Sequence, residues 1–342
     1  MHHLHAALAL LLLAIGCGDG LAPTTPADPV ASATEIRAAA NAITQAKVLS
    51  WLSVIADDSM GGRNTPSLGL EKTAQFLADH YGTWGLLPAG ENNSWFQRYT
   101  IQATQTNAPN VVAVARGSDP VLRDEFVFFS AHMDHLGTAG DGVGGCNPFT
   151  RSDGTVDRIC NGADDDGSGT IAVLAIAEAV TKLQGRTRRS IVVLNVSGEE
   201  KGLLGSAYYA DHPTLPLGNV VADINLDMIS RNSPDSIVVI GKDSSDMGAT
   251  LARVQAAHPE LGLIAADDIW PSQNFYRRSD HYNFARKGVP ILFFFNGTHP
   301  QYHRADDEVP LVNAGKLVRV AQLAFHLGVE IANTTVRPQG KR

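Results

Sequence analysis

Short runs of β-branched and aromatic residues alternate along the chain with longer segments of helical period. NVVAVARG, EFVFFSAHMD, SIVVLNVSGEE, VVADINLDMIS, SIVVIG and VPILFFFNG are the strand-like runs. Several are apolar without alternation, which suits strands buried on both faces. Between them lie SGTIAVLAIAEAVTKL, DMGATLARVQAAH and DHYNFARKG, and AGKLVRVAQLAFHLGVEIA closes the pattern. Upstream, LEKTAQFLADHYGTWG places Leu70, Thr73, Ala74 and Leu77 on one helical face, and Ser32 and Glu35 have capping-box spacing. This alternation predicts an α/β fold: a single three-layer domain with a mostly parallel, mixed central β-sheet covered by helices on both faces. No internal repeat or second linker interrupts it, so one domain over residues 33–334 is expected, followed by a tail at 335–342.

The first 32 residues depart from the pattern. LHAALALLLLAIG, Leu4 to Gly16, is an apolar run too short to span a bilayer, which takes about 20 residues. It ends in AIGC, with small residues before Cys17, and reads as an export signal over 1–16. The ending resembles the lipobox of bacterial lipoproteins. That resemblance implies a lipidated Cys17, a flexible Pro- and Gly-rich tether over 17–32, and attachment to a membrane facing the periplasm or exterior. MHHLH departs from it by carrying histidines where lysine or arginine is usual, and an ordinary signal peptide of a secreted protein is the alternative. With Cys17 so used, Cys146 and Cys160 remain as an even pair, and an oxidising compartment favours a disulfide between them over thiolate metal ligation. A net charge of -8, with no basic patch interleaved with aromatics, argues against a nucleic-acid partner. GRTRRS, Gly185 to Ser190, reads as a solvated loop.

Sites in parallel sheets gather beyond the carboxyl ends of the strands. Here the run through Phe129 leads to His132 and Asp134, the next leads to Glu199 and Glu200, and VADINL leads to Asp227. ILFFFNG leads within a few residues to His303. Imidazole and carboxylate without thiolate is the ligand chemistry of a hydrolytic zinc site. It also gives the GADDDGSG cluster a rationale, because cations offset carboxylates that otherwise repel one another.

HMDHLG, GADDDGSG, SGEEKGLLGS, INLDM, SDH and YHRADD occur in that order between His132 and Asp307. Together they resemble the di-zinc exopeptidase family of the secreted bacterial leucyl aminopeptidases, glutamate carboxypeptidase II and glutaminyl cyclase. DSMGGRNTPSLGLEKTAQFL is similar to the start of that family's catalytic domain. The resemblance implies two Zn2+ per chain, with Co2+ or Mn2+ as alternatives. His132 and Asp227 would bind one ion, Glu200 and His303 the other, and Asp165 would bridge them. Glu199 would be the general base, and Asp134 would hydrogen-bond the His132 imidazole. Asp280 and His281 are expected to support the site without ligation, Asp307 to support His303, and Tyr302 to donate a hydrogen bond to the oxyanion. His135 is read as structural, and Ser168 as turn and helix-start chemistry rather than a nucleophile. Asp164 and Asp166 are expected to hold the loop or face solvent, and the nearby glycines to let the chain turn sharply into the helix. Trp270, Phe275 and Tyr276 are placed to line a specificity pocket or to pack in the core. The expected function is an exported metallo-aminopeptidase acting on peptides, with no obligate protein partner evident. The alternatives are a mono-zinc glutaminyl-peptide cyclase and a non-catalytic binding protein on the same fold.

Overall fold

The computed structural model describes residues 30–140 and 145–340. The export signal and Cys17, with all but the last residues of the tether, lie outside the described residues, as do 341 and 342 of the tail.

Nine strands form one mixed sheet: β1 (Leu87–Pro88), β2 (Phe96–Ile101), β3 (Thr106–Ala115), β4 (Phe126–His132), β5 (Ser190–Val196), β6 (Val220–Leu226), β7 (Ser236–Ile240), β8 (Ile264–Ala266) and β9 (Ile291–Phe295). The spatial order is β1-β3-β5-β4-β6-β9-β7-β8, with β2 also paired to β3. The four strands β5, β4, β6 and β9 run parallel at the centre. Antiparallel pairs join β3 to β5 on one flank and β7 to β9 on the other. The sheet is therefore mixed, and its parallel character is concentrated in the block that carries the candidate ligands.

Among the described residues, eight helices accompany the sheet: α1 (Ala33–Ala40), α2 (Gln45–Ile55), α3 (Leu68–Thr83), α4 (Gly167–Thr181), α5 (Leu204–Asp211), α6 (Met247–Ala257), α7 (His281–Ala285) and α8 (Ala314–Asn333). Side-chain alternation along β4 explains the layers. Val127, Phe129 and Ala131 point into the core shared with α1–α4, α6 and α8, whereas Phe126 and Phe128 point into the core shared with α5 and α7. All seven residues of β4, β5 and β6 are buried, which is why these strands show no polar alternation. α4 is buried on nearly every side because α2 and α8 cover it, and its sequence is correspondingly apolar throughout. The Ser32–Glu35 capping box forms as expected at the start of α1. Residues Leu70, Thr73, Ala74 and Leu77 form the buried face of α3.

GRTRRS is only partly the solvated loop expected of it. Arg189 is fully buried, pairs with Glu125 at 2.7 Å and donates to the Ile331 carbonyl, so this arginine ties the end of α8 to the start of β5. Cys146 and Cys160 form a disulfide with their Cα atoms 5.8 Å apart. No described helix is long and apolar enough to cross a membrane.

Candidate metal centre

β4, β5 and β6 are adjacent parallel strands, so their carboxyl ends open onto one edge. His132 is the last residue of β4, Asp227 follows β6, and Glu199 and Glu200 lie in a 3-10 turn just beyond β5. Asp165 approaches from the loop before α4. His303 approaches from the loop after β9, where its backbone is left-handed at φ 60°. Asn147, next to the disulfide-bonded Cys146, holds that backbone by donating its N–H and its side-chain amide to the His303 carbonyl, each at 3.0 Å.

The side chains converge as two groups that share Asp165. His132 Nε2 lies 3.4 Å from Asp165 Oδ1 and 3.6 Å from Asp227 Oδ1. His303 Nε2 lies 3.3 Å from Asp165 Oδ2 and 3.2 Å from Glu200 Oε2. One oxygen of Asp165 thus faces each group, the disposition of a bridging carboxylate. Ligand atoms of His132, Asp165 and Asp227, and of His135, Asp165 and Glu200, come close enough to hold a metal ion. Asp165 Oδ2, Glu200 Oε1 and both ring nitrogens of His135 are buried without a hydrogen-bond partner. Orphaned buried donors and acceptors are rare in proteins, and a coordinated cation would satisfy these. The donor set, imidazole and carboxylate only, fits zinc.

His135, expected to be structural, also comes within reach of this site. It is fully buried, and its Nδ1 lies 2.8 Å from Glu200 Oε1 without the alignment of a hydrogen bond. The available signal was a second imidazole three residues after His132.

The three aspartates separate cleanly. Asp164 Oδ1 accepts from the Ser230 N–H at 2.8 Å and the Ser230 hydroxyl at 2.6 Å, and its Oδ2 faces His299 Nε2 at 3.3 Å. Asp166 caps α4 by accepting from Gly169 N at 2.9 Å, and it also accepts from Met228 N and His132 N. Both are fully buried, so they hold the loop and neither faces solvent, because each has several backbone or hydroxyl donors to replace water. The glycines also divide their work. Gly162, at φ 55°, makes the turn, whereas Gly169 is needed for close approach, since a Cβ there would lie 2.1 Å from the Leu226 carbonyl oxygen. Inside the helix start, the Ser168 hydroxyl bonds the Asp164 carbonyl at 2.8 Å and the Asp164 carboxylate at 3.0 Å, and it accepts from Ile229 N at 3.0 Å.

Two supporting roles differ from expectation. The Asp134 carboxylate sits 3.6 Å from His132 Nδ1, too far for a hydrogen bond, and the backbone carbonyl of Asp134 is closer at 3.2 Å. The carboxylate is directed elsewhere, accepting from Thr65 Oγ1 at 3.0 Å and from Glu199 N at 3.2 Å, so it fixes the turn that carries Glu199. Asp307 does not bond His303. Its Oδ2 accepts from the backbone N–H groups of Asp164 and Asp165 at 3.0 and 3.1 Å, which orients the aspartate loop instead. Asp280 and His281 are in neither of the two candidate ligand groups. Asp280 accepts from Ser206 Oγ, and His281 bonds the Tyr276 carbonyl and stacks on Phe293 at 4.4 Å. Tyr302 stacks on His303 at 3.8 Å and lines the cleft beside Glu199. Phe275 also lines the cleft, with Trp270 packed behind it, whereas Tyr276 packs against His281 away from the cleft.

Beneath the ligand loops lies Arg63, fully buried, from GGR. Its guanidinium donates to the carbonyls of Ile55, Met133, Asn161 and Gly162, joining the loop after β4 to the aspartate loop. It also sets a positive charge under Asp134, Asp165, Asp166 and Asp307. No periodicity marks such a residue in the sequence.

The electrostatics follow from burial among carboxylates. Burial pushes the Glu199 carboxyl well above the usual range, with Glu200 and Asp280 adding to the effect and His132 opposing it. Burial works against charge on His303, but the adjacent carboxylates of Asp165 and Glu200 prevail and raise it to about 10. Burial opposes ionisation of Asp165, and the imidazoles of His132 and His303 hold it well below the carboxylate norm.

A model of peptidase family M28 matches residues 110–328. A probable leucine aminopeptidase of Arthroderma otae is 27% identical over 232 residues, covering 66% of this chain and 58% of that protein. Leupeptin-inactivating enzyme 1 of Streptomyces exfoliatus is 26% identical over 250 residues, covering 73% and 48%. The chain thus spans about half the length of the curated relatives it matches. Among solved structures, the Legionella pneumophila LapA aminopeptidase shares the fold at a TM-score of 0.66 and 20% identity, covering 92% of this chain and 78% of that one. Porphyromonas gingivalis glutaminyl cyclase shares it at 0.64 and 18%, covering 83% and 97%. With the family's model matched over more than half of its residues and the ligand loops inside that span, this chain belongs to peptidase family M28.

Proposed function

We propose that the chain is an exported metallo-aminopeptidase that removes N-terminal residues from peptides with the help of two zinc ions. The observation that carries this reading is the pair of ligand groups sharing Asp165, one carboxylate oxygen toward each, with partnerless buried donor atoms around them. His132 and Asp227 would hold one ion, Glu200 and His303 the other, with Asp165 between them and His135 a further donor beside Glu200. When bound, such ions polarise a carbonyl and lower the pKa of a bound water.

Glu199 faces the cleft beside these groups without belonging to either. Its raised proton affinity suits it to take a proton from the attacking water at its carboxylate and to deliver it to the leaving amine nitrogen. Asp134 fixes that carboxylate's backbone, and Gly198 N donates to Thr65 Oγ1, which in turn donates to Asp134. The Tyr302 hydroxyl, kept protonated by burial and the surrounding carboxylates, is placed to donate to the developing oxyanion. Met228, Phe275, Phe293 and Phe295 give the cleft an apolar wall, suited to an apolar N-terminal side chain.

Export and lipidation of Cys17 belong to the same proposal. The Cys146–Cys160 disulfide supports export, because oxidising compartments sustain such bonds. A panel of aminoacyl p-nitroanilides, assayed with chelator and then with added zinc, tests the reading. Hydrolysis that chelator abolishes and zinc restores is expected. Absence of hydrolysis, together with cyclisation of N-terminal glutaminyl peptides, would instead place the chain with the cyclases. Failure to bind zinc at all would point to a non-catalytic binding protein.

A further inference from the structure

The cleft beside Glu199 contains a residue that neither metal binding nor proton transfer uses. Arg278 is the one arginine or lysine among the described residues that line it, together with Asp165, Glu199 and Asp227. Its guanidinium lies over the Phe275 ring, 4.6 Å from the centroid. No carboxylate of the described residues lies within ion-pair distance of it, whereas Arg189, Arg231 and Arg304 each have one.

The platform beneath Arg278 is rigid. Phe275 is buried and wedged between Phe295 at 4.8 Å and Trp270 at 5.8 Å. The Arg278 backbone N–H donates to the Phe275 carbonyl at 2.9 Å, and Ser279 and Asp280, which follow it, are buried. A guanidinium packed over an aromatic ring loses little further freedom when it binds through its N–H edges. Those edges match a carboxylate with two parallel hydrogen bonds. Arg278 is exposed to solvent, and apart from the Phe275 ring its charge has no partner among the described residues.

We propose that Arg278 is a carboxylate-recognition point at the rim of the cleft, so that favoured substrates carry a free carboxylate close to the scissile bond. The chemistry is shared by two sources: the C-terminal carboxylate of a dipeptide, and the side chain of an N-terminal Asp or Glu. This inference rests on the aminopeptidase reading.

The test compares wild type with Arg278→Gln and Arg278→Lys on leucyl-glycine, leucyl-glycinamide, leucyl-p-nitroanilide and glutamyl-p-nitroanilide. In Arg278→Gln, KM for leucyl-glycine relative to leucyl-glycinamide is expected to rise roughly 10-fold if the C-terminal carboxylate is bound, the size of a partly exposed charged hydrogen bond. If the side-chain carboxylate is bound, the same rise appears for glutamyl- relative to leucyl-p-nitroanilide. Arg278→Lys keeps the charge but loses the fork, and should recover part of the effect. Calorimetric binding of leucyl-glycine and leucyl-glycinamide to zinc-loaded Glu199→Gln, with and without Arg278→Gln, should reproduce the ratio for the dipeptide source. Equal changes on all four substrates, or none, overturn this inference while leaving the aminopeptidase reading intact. Hydrolysis of none of the substrates by wild type overturns both.

Discussion

At the scale of single residues, three adjacent aspartates do three different things, and their partners explain which. Asp165 turns one oxygen to His132 and the other to His303, while Asp164 and Asp166 are saturated by hydroxyl and backbone donors. Asp165→Ala should therefore abolish stoichiometric zinc binding while the fold persists, as read by metal analysis alongside circular dichroism. Asp164→Ala should instead lower stability by roughly 2–3 kcal/mol, since it strands the buried Ser230 N–H and hydroxyl, as read by urea unfolding of the metal-free protein. Unchanged zinc content in Asp165→Ala would contradict the assignment. The candidate ligands were legible in the sequence because each occurs in a short motif whose order and chemistry carry information. The place of Arg63, the closeness of His135 to Glu200 and the partners of Asp134 and Asp307 were not. Their roles depend on contacts between loops far apart in the chain, such as Arg63 with Gly162, that no local pattern encodes.

At the scale of elements, the long, fully apolar strands and the periodic helices were readable, because burial on both faces leaves an uninterrupted hydrophobic run. The short edge strands β1 and β8 and the half-exposed β2 were not, since two or three residues, or a mixed surface, give little periodicity. The same central strands contain a polar residue with a measurable consequence. Asp223 on β6 is fully buried; burial, with Asp280 nearby, raises it to about 7, although Ser130 donates to it at 2.7 Å. A carboxyl raised in the folded state stabilises most where it is protonated in both states. That contribution is lost as pH climbs from the ordinary carboxylate range, about 4, through the folded value of about 7. Asp223→Asn removes the ionisation while keeping the shape. Its melting temperature relative to wild type should accordingly rise between pH 4 and pH 7, with a difference on the order of a few kcal/mol, and then level off. A difference independent of pH would mean that Asp223 is not the titrating group.

At the scale of the whole molecule, one sheet edge brings candidate ligands from β4, β5, β6, the α4 loop and the β9 loop to one place, and Arg63 and the disulfide brace the loops that hold them. The order of the motifs made that convergence foreseeable, whereas the cross-bracing became visible only in the fold. The proposed anchoring on Cys17 is tested at this scale in a bacterial host. Wild type should incorporate labelled palmitate and partition with membranes, and Cys17→Ser should do neither; equal behaviour of the two would remove the lipid anchor. The central claim is that Glu199 moves the proton while neighbouring residues hold the metal. Glu199→Gln, assayed for leucyl-p-nitroanilide turnover and for bound zinc on the same sample, tests it most directly. Turnover should fall roughly 10²- to 10⁴-fold with two zinc equivalents retained. Turnover within a few-fold of wild type, or a loss that tracks loss of zinc, would contradict it.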